Sequence, residues 1–467
     1  MSAPLDTGDV RAPIGARDAM GLDSWRSITA LLWLGFVGLA TFQLIPLLTG
    51  QLVDVYHFGD AKAGLISSWY CGAGFVASVI AFYWLPRWDR RKVLLVALVL
   101  GLVAELSSLF VHAYAALAAG RVVTGFAAAS ITCLVLSAIT RSRRAEHLYG
   151  LYTATISLCA AAGFIGLSYA LPAMRSALGD GALFAFFSVV WALGLVAAAF
   201  VPRGTTSDAA EEPEAGGAAA KAAAAAGSAA DGTVRGEARP GLKILSPAVI
   251  ILMASPVIFY IANGGSWAFL GRVGTWTGLS DGQVGIALAI GNVFAILGGV
   301  VASVLGLRFK VVGPIVVGTV LTMSANIIML GRWGMPGYTI AQAIGFGFTV
   351  YTVAAYLQAF GYVDPSGRLM ASGGLAVYGG GALGPVILAQ FIPAGTDPSY
   401  MAPLIADAVI FLIAPVVFVI GWAMVRKQLG AAQAGAGALG EGPLVGVVAT
   451  GVEARGEDGG ASPSAVT

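Results

Sequence analysis

The chain has 467 residues, 58% hydrophobic and only 11% charged, with a formal net charge of +2 and a mean hydropathy of +0.84. Soluble domains carry about 25% charged residues, so this composition excludes an ordinary soluble domain. The near-neutral balance gives no basis for nucleic-acid binding by bulk charge. The three cysteines, Cys71, Cys133 and Cys159, lack metal or disulfide spacing and read as small packing residues.

In chain order, residues 1–27 hold no apolar core and are expected to be a cytoplasmic tail, not a cleavable signal peptide. Twelve mostly apolar segments of about 20 or more residues follow, at 28–50, 63–85, 93–115, 117–139, 148–171, 182–201, 244–270, 284–305, 311–331, 338–361, 369–392 and 401–425. Each matches the roughly 30 Å hydrocarbon layer at about 1.5 Å rise per residue, so each is predicted to be a membrane-spanning helix. Only Glu105, Arg121 and Asp407 carry a formal charge inside them. With the N-terminus inside, the segments on that side hold 21 Lys and Arg, and those on the other side hold 4. That bias places both termini in the cytoplasm and supports an even number of spans. Trp25, Trp84, Trp88, Trp276, Trp333 and Trp422 fall near span ends, as an interfacial belt requires.

Residues 203–243, with an acidic tract at 211–214 and then Ala and Gly, divide the spans six plus six. The expected organisation is a six-helix bundle over 28–202, a cytoplasmic linker at 203–243 that is disordered or nascent helix, a second bundle over 244–425 and a disordered cytoplasmic tail at 426–467. The basic turn after span two, Arg87-Trp88-Asp89-Arg90-Arg91-Lys92, has a weak counterpart after span eight in Arg308-Phe309-Lys310. Both are short, basic and cytoplasmic, which fits either repeated halves or ordinary positive-inside charge.

Several side chains are candidates for function. In span one, Gln43 lies three residues before Pro46, where a kink would free backbone groups. Arg121 in span four reads either as an anion contact or coupling residue, or as an interhelical hydrogen-bond hub, because a guanidinium at membrane depth needs a cavity or a partner. Glu105 in span three and Asp407 in span twelve are the intramembrane acids and the candidates for proton coupling. His112, at the end of span three, reads as a wetted interfacial residue. Tyr260, Asn263 and Trp267 recur at i, i+3 and i+7 on one face of span seven, and Asn263-Gly264-Gly265 is expected to loosen that helix. Gln342, Phe346, Thr349 and Tyr356 share a face of span ten. An amide flanked by aromatic rings suits a mostly apolar ligand face with few directed hydrogen bonds. Gly373, Gly374, Gly379, Gly380, Gly381, Gly384 and Pro385 make span eleven compliant, for close packing or bending during gating. Arg87, Arg90 and Arg91 read first as a topological anchor and secondly as a gate against the cytoplasmic end of span eleven.

The twelve spans, the long central loop, the stretch Gly120-Arg121-Val122-Val123-Thr124-Gly125, the basic turn at 87–92 and the stretch 364–368 leading to Gly379–Pro385 together resemble the major facilitator superfamily. The most specific motif is Gly120-Arg121-Val122-Val123-Thr124-Gly125 followed by Phe126 and small residues, similar to that family's fourth-helix pattern of an arginine and a glycine four residues on. The turn between spans two and three occupies the place of its glycine–acid–basic signature. Here Phe82, Pro86 and Asp89 stand where glycine, acid and glycine are expected, and Arg87, Arg90 and Arg91 keep the basic character. Asp364-Pro365-Ser366-Gly367-Arg368, leading to Gly379–Pro385, is the third. The resemblance implies an all-α membrane fold of two six-helix bundles that rock about a central path lined by spans one, four, seven and ten. It also makes spans three and twelve peripheral, which favours structural roles for Glu105 and Asp407. The first-span acid of many drug exporters is absent, and Leu167 follows Gly163-Phe164-Ile165-Gly166 where their fifth-span signature has proline.

The expected function is secondary transport of a small organic solute, with a lean to an organic anion because Arg121 is the lone intramembrane cation, and with proton coupling as an option. The alternatives are export of amphipathic or drug-like compounds and a transporter-like membrane sensor. No catalytic constellation or Walker sequence is present, so no enzyme, ATP use, metal or cofactor is expected. The expected partners are the solute, the lipid bilayer and protons, with the chain a monomer in the plasma (inner) membrane.

Overall fold

The computed structural model describes residues 24–85, 87–142, 144–202, 246–305, 311–364, 369, 373–393, 395 and 398–440. The expected linker, the turn at 306–310, the motif residues 365–368 and the tail beyond 440 lie outside them. Helices start where the sequence supplies caps. Ser24 accepts from the Ser27 N–H, Asp89 from Lys92 and Ser246 from Val249, with Pro247 in the first turn after Ser246.

Among the described residues, nine helical stretches are long and apolar enough to cross a membrane. One of them, His147–Ala198, is two spans joined at Gly179–Gly181. Arg90–Ser108, which opens with three basic residues, and the 17-residue Gly373–Ala389 complete the twelve predicted spans among the described residues. Outward faces are apolar: Val96, Val99 and Val103 on span three, and Val409, Leu412 and Val416 on span twelve, are exposed at helical spacing, as lipid contact requires.

The spans pack in the same pairs in both halves. Two packs on four, three on four and six, and one on five and six; likewise eight on ten, nine on ten and twelve, and seven on eleven and twelve. Adding six to each number reproduces the list, so the halves are structural repeats. They meet along span two with span eleven and span five with span eight, again a repeat-related pair, and along the end of span one with span seven.

One local feature matches the sequence reading and two differ. Span one is broken into Trp25–Gln43 and Ile45–Asp54, because Pro46 has no N–H to continue the ladder. Span seven runs unbroken over Pro247–Trp276: Gly264 and Gly265 do not loosen it but let span eleven approach, with the Gly381 Cα only 2.7 Å from where a Gly264 Cβ would sit. Span twelve continues as helix to Gly440 rather than ending at 425, since the alanine-rich stretch after Lys427 carries no proline to stop it.

Candidate functional site

One pair of contacts breaks the repeat symmetry. Spans one and four pack closely, whereas spans seven and ten barely touch. On the first pair, Gly38 lies against Thr132 and the Ala128 carbonyl of the small-residue run in span four. On the second, bulky side chains hold the helices apart: Trp267 meets Phe346 with ring centroids 5.1 Å apart, and Asn263 donates to the Thr349 hydroxyl at 3.2 Å. The space between is a cavity of about 240 Å³ set in the second half, with Phe42, Gln43 and Ser157 closing it from the first.

The cavity combines aromatic faces with neutral hydrogen-bonding groups. Of the residues expected from sequence, Gln43, Tyr260, Asn263, Trp267, Gln342, Phe346 and Thr349 line it. Ser266, Asn292, Thr322 and Asn326 also line it and had not been singled out. Each is a small polar residue within a mostly apolar span, which was the available signal. Among the described residues, no charged side chain lines it. Part of the amide capacity is committed: Asn292 donates to the Leu288 carbonyl at 2.9 Å, and Gln342 to the Met329 sulfur at 3.4 Å.

The break in span one ties the halves together. Pro46 leaves the Phe42 carbonyl without its helical donor, and the Trp267 Nε1–H fills that place at 2.8 Å. Nearby, Gly271 lies against the Pro46 carbonyl, 2.8 Å from where a Cβ would sit. Beyond it, on the side away from the termini, Arg272 reaches Asp54 at 2.6 Å and Asp60 at 3.3 Å, and the Tyr400 hydroxyl also donates to Asp60. Burial, then the Asp60 carboxylate, pushes the Tyr400 hydroxyl above its ordinary value, so it stays a donor. This latch between the halves was not anticipated. Its trace in the sequence was Arg272, one of only four basic residues on that side.

The pattern of spans, the repeat-related packing and the cavity between bundles agree with a known family. The Major Facilitator Superfamily description matches residues 30–385. The chain belongs to this superfamily. Solved structures of superfamily-like fold include two of the nucleoside transporter NupG, one of them a mutant. Their TM-scores are 0.63 and 0.61, each at 12% identity, covering 84% and 85% of this chain and 99% and 98% of theirs. A bacterial homologue of the human lysosomal transporter Spinster, in an inward-facing and unoccupied conformation, aligns at TM-score 0.58 and 13% identity, covering 89% of this chain and 98% of that one. No curated protein matches the chain in sequence.

In this superfamily member the remaining candidates other than Asp407 lie away from the cavity. The Arg121 guanidinium donates to both Glu105 oxygens at 2.8 Å and to Ser108 at 3.1 Å, and packs over the Phe184 ring at 5.0 Å. Arg121 and Glu105 are 1% and 0% exposed, so the first coupling acid and the sole intramembrane cation neutralise each other between spans three and four. Tyr356 is two turns past Thr349, where span ten closes on its neighbours; its hydroxyl meets Ser255 at 2.8 Å. Gly380 and Gly384 sit in the seam between spans seven and eleven, and the Pro385 carbonyl faces Gly64 of span two. Arg87 folds back over the Tyr83 ring at 4.2 Å, Arg90 is buried at the start of span three, and Arg91 follows it in the first turn. The 365–368 end of span eleven, their expected counterpart, is outside the described residues. His112 is exposed and lies 3.3 Å from Asp180.

Proposed function

We propose that this protein is a secondary transporter of an uncharged small solute that carries both a flat apolar or aromatic face and several hydrogen-bonding groups. The observation that carries this reading is the charge-free lining of the cavity, where aromatic rings alternate with amides and hydroxyls. The lean to an organic anion depended on Arg121 as a free cation. Its pairing with Glu105 removes that basis, and a carboxylate in this cavity would have no countercharge. A volume of about 240 Å³ is at or below the small end of ligand pockets, roughly 300–1,000 Å³, and favours a compact solute. NupG is a nucleoside transporter, and a nucleoside meets the same requirement, so uridine is the first probe.

Alternation would exchange the present closure, with Trp267 on Phe42 and Arg272 on Asp54 and Asp60, for one on the opposite side. The bias of basic residues supports termini in the cytoplasm and the latch facing outward at the plasma membrane. One chain holds the whole cavity, so a monomer suffices for this role.

A ligand-stability screen on the purified protein tests the reading. Uridine, hexoses, benzoate and choline are compared by thermal midpoint, because a ligand of the native state raises it. The expected result is a rise with an uncharged compound, its apparent affinity falling about three- to tenfold in Asn263→Leu as one directed hydrogen bond is lost. A rise with benzoate alone would overturn it.

A further inference from the structure

Asp407 is fully buried in span twelve, yet it stands one hydrogen bond behind the cavity wall. Its Oδ2 accepts from the Asn326 amide at 2.6 Å and from the Ser266 hydroxyl, and both of those residues line the cavity. Its Oδ1 is buried with no hydrogen-bond partner among the described residues. A peripheral structural role, expected from its place in the fold, does not explain a carboxyl group with one oxygen held by cavity-lining donors and the other bare.

Among the described residues, the surroundings supply no cation. Spans seven, nine and eleven pack against span twelve. Their titratable side chains are Tyr260 and Arg272 on span seven and Tyr378 on span eleven; span nine, Val312–Leu330, has none. Tyr260 lines the cavity, Arg272 is engaged by Asp54 and Asp60, and Tyr378 lies against Gly74 of span two. Just before span twelve, Tyr400 gives its hydroxyl to Asp60. Arg426 and Lys427 follow 19 or more residues along the helix, at least about 28 Å away at 1.5 Å per residue. A lone carboxylate here would rest on two neutral donors, whereas a proton removes the charge and gives the bare side a donor.

We propose that Asp407, Ser266 and Asn326 form a proton-binding site tied to the cavity. This rests on reading the cavity as the solute site. A solute that takes the Ser266 and Asn326 donors withdraws them from the carboxylate and drives Asp407 to hold a proton. By reciprocity a proton on Asp407 frees both donors for solute. The only bond made or broken is Oδ–H: the proton arrives from cavity water on one side and returns to water on the other. One proton accompanies each solute.

Removing either donor imitates the solute, so the site is testable without one. Infrared spectra of the full-length protein in lipid vesicles, titrated with pH in H2O and D2O, report the C=O stretch of a protonated carboxyl. The expected result is a band present in the wild type and absent in Asp407→Asn. Its loss on raising pH should move upward by about one pH unit or more in Ser266→Ala and Asn326→Leu. Spectra of wild type and Asp407→Asn that stay identical throughout, or an unmoved midpoint in both donor variants, would overturn the proposal. If Asp407→Asn does not fold, the wild-type and Ser266→Ala titrations decide it. A titrating site in a protein that binds no uncharged solute would leave the site standing and overturn the cavity reading alone.

Discussion

Replacing Arg121 with alanine is expected to cost about 3–5 kcal/mol and to leave little folded protein, because it strands the Glu105 carboxylate in the bundle. Both Glu105 oxygens are held at 2.8 Å by that one guanidinium, and neither side chain reaches water. The pair is not expected to add much stability over two apolar residues of similar volume, since desolvation offsets the attraction. Arg121→Met combined with Glu105→Leu should therefore recover most of the loss. The thermal midpoint and the yield of monodisperse protein check both statements. A solute-binding Arg121 predicts the opposite pattern: Arg121→Ala would fold at the wild-type midpoint and lose only uptake, and the double variant would be no better.

Gly384→Ala should be the next most damaging change, at about 1–3 kcal/mol or more. A Cβ there would collide with the Ile261 carbonyl and the Gly265 nitrogen, both backbone atoms of span seven that no rotamer change can move. The helices would have to separate along the seam that also holds Gly264 against Gly381. Gly374, ten residues earlier on the same helix, has nothing within 4 Å of its Cβ position. Gly374→Ala should unfold at or slightly above the wild-type midpoint, because alanine favours helix. Equal midpoints for the two variants would show that span eleven uses its glycines for bending rather than for close packing.

Much of the fold was legible because hydrocarbon thickness imposes a length that few soluble helices reach, and charges confined to the turns mark the ends. The break at Leu44 was legible for a local reason, the missing N–H of Pro46. Helical spacing grouped Tyr260, Asn263 and Trp267, and Gln342, Phe346 and Thr349, all of which line the cavity, but it had no means of ending a face; Tyr356 shares the angle and lies two turns beyond the cavity. The pairing of Arg121 with Glu105 had a readable trace, since opposite charges sat on consecutive spans joined by the short turn at 109–113. The offset of the cavity into the second half did not. It depends on small residues at the crossing of spans one and four and large ones between spans seven and ten, a comparison that needs the packing partners. Ser266, Asn326 and Asp407 come together from three spans, and no spacing within one helix predicts such a meeting.

The most direct measurement is uptake of labelled uridine and labelled benzoate into sealed liposomes carrying the purified protein, with the Asn263→Leu, Gln342→Leu double variant as control. The account predicts saturable uridine accumulation by the wild type, at least about tenfold slower uptake in the folded double variant as two directed contacts are lost, and no benzoate movement above empty liposomes. Benzoate accumulation that is indifferent to the two cavity substitutions would contradict it.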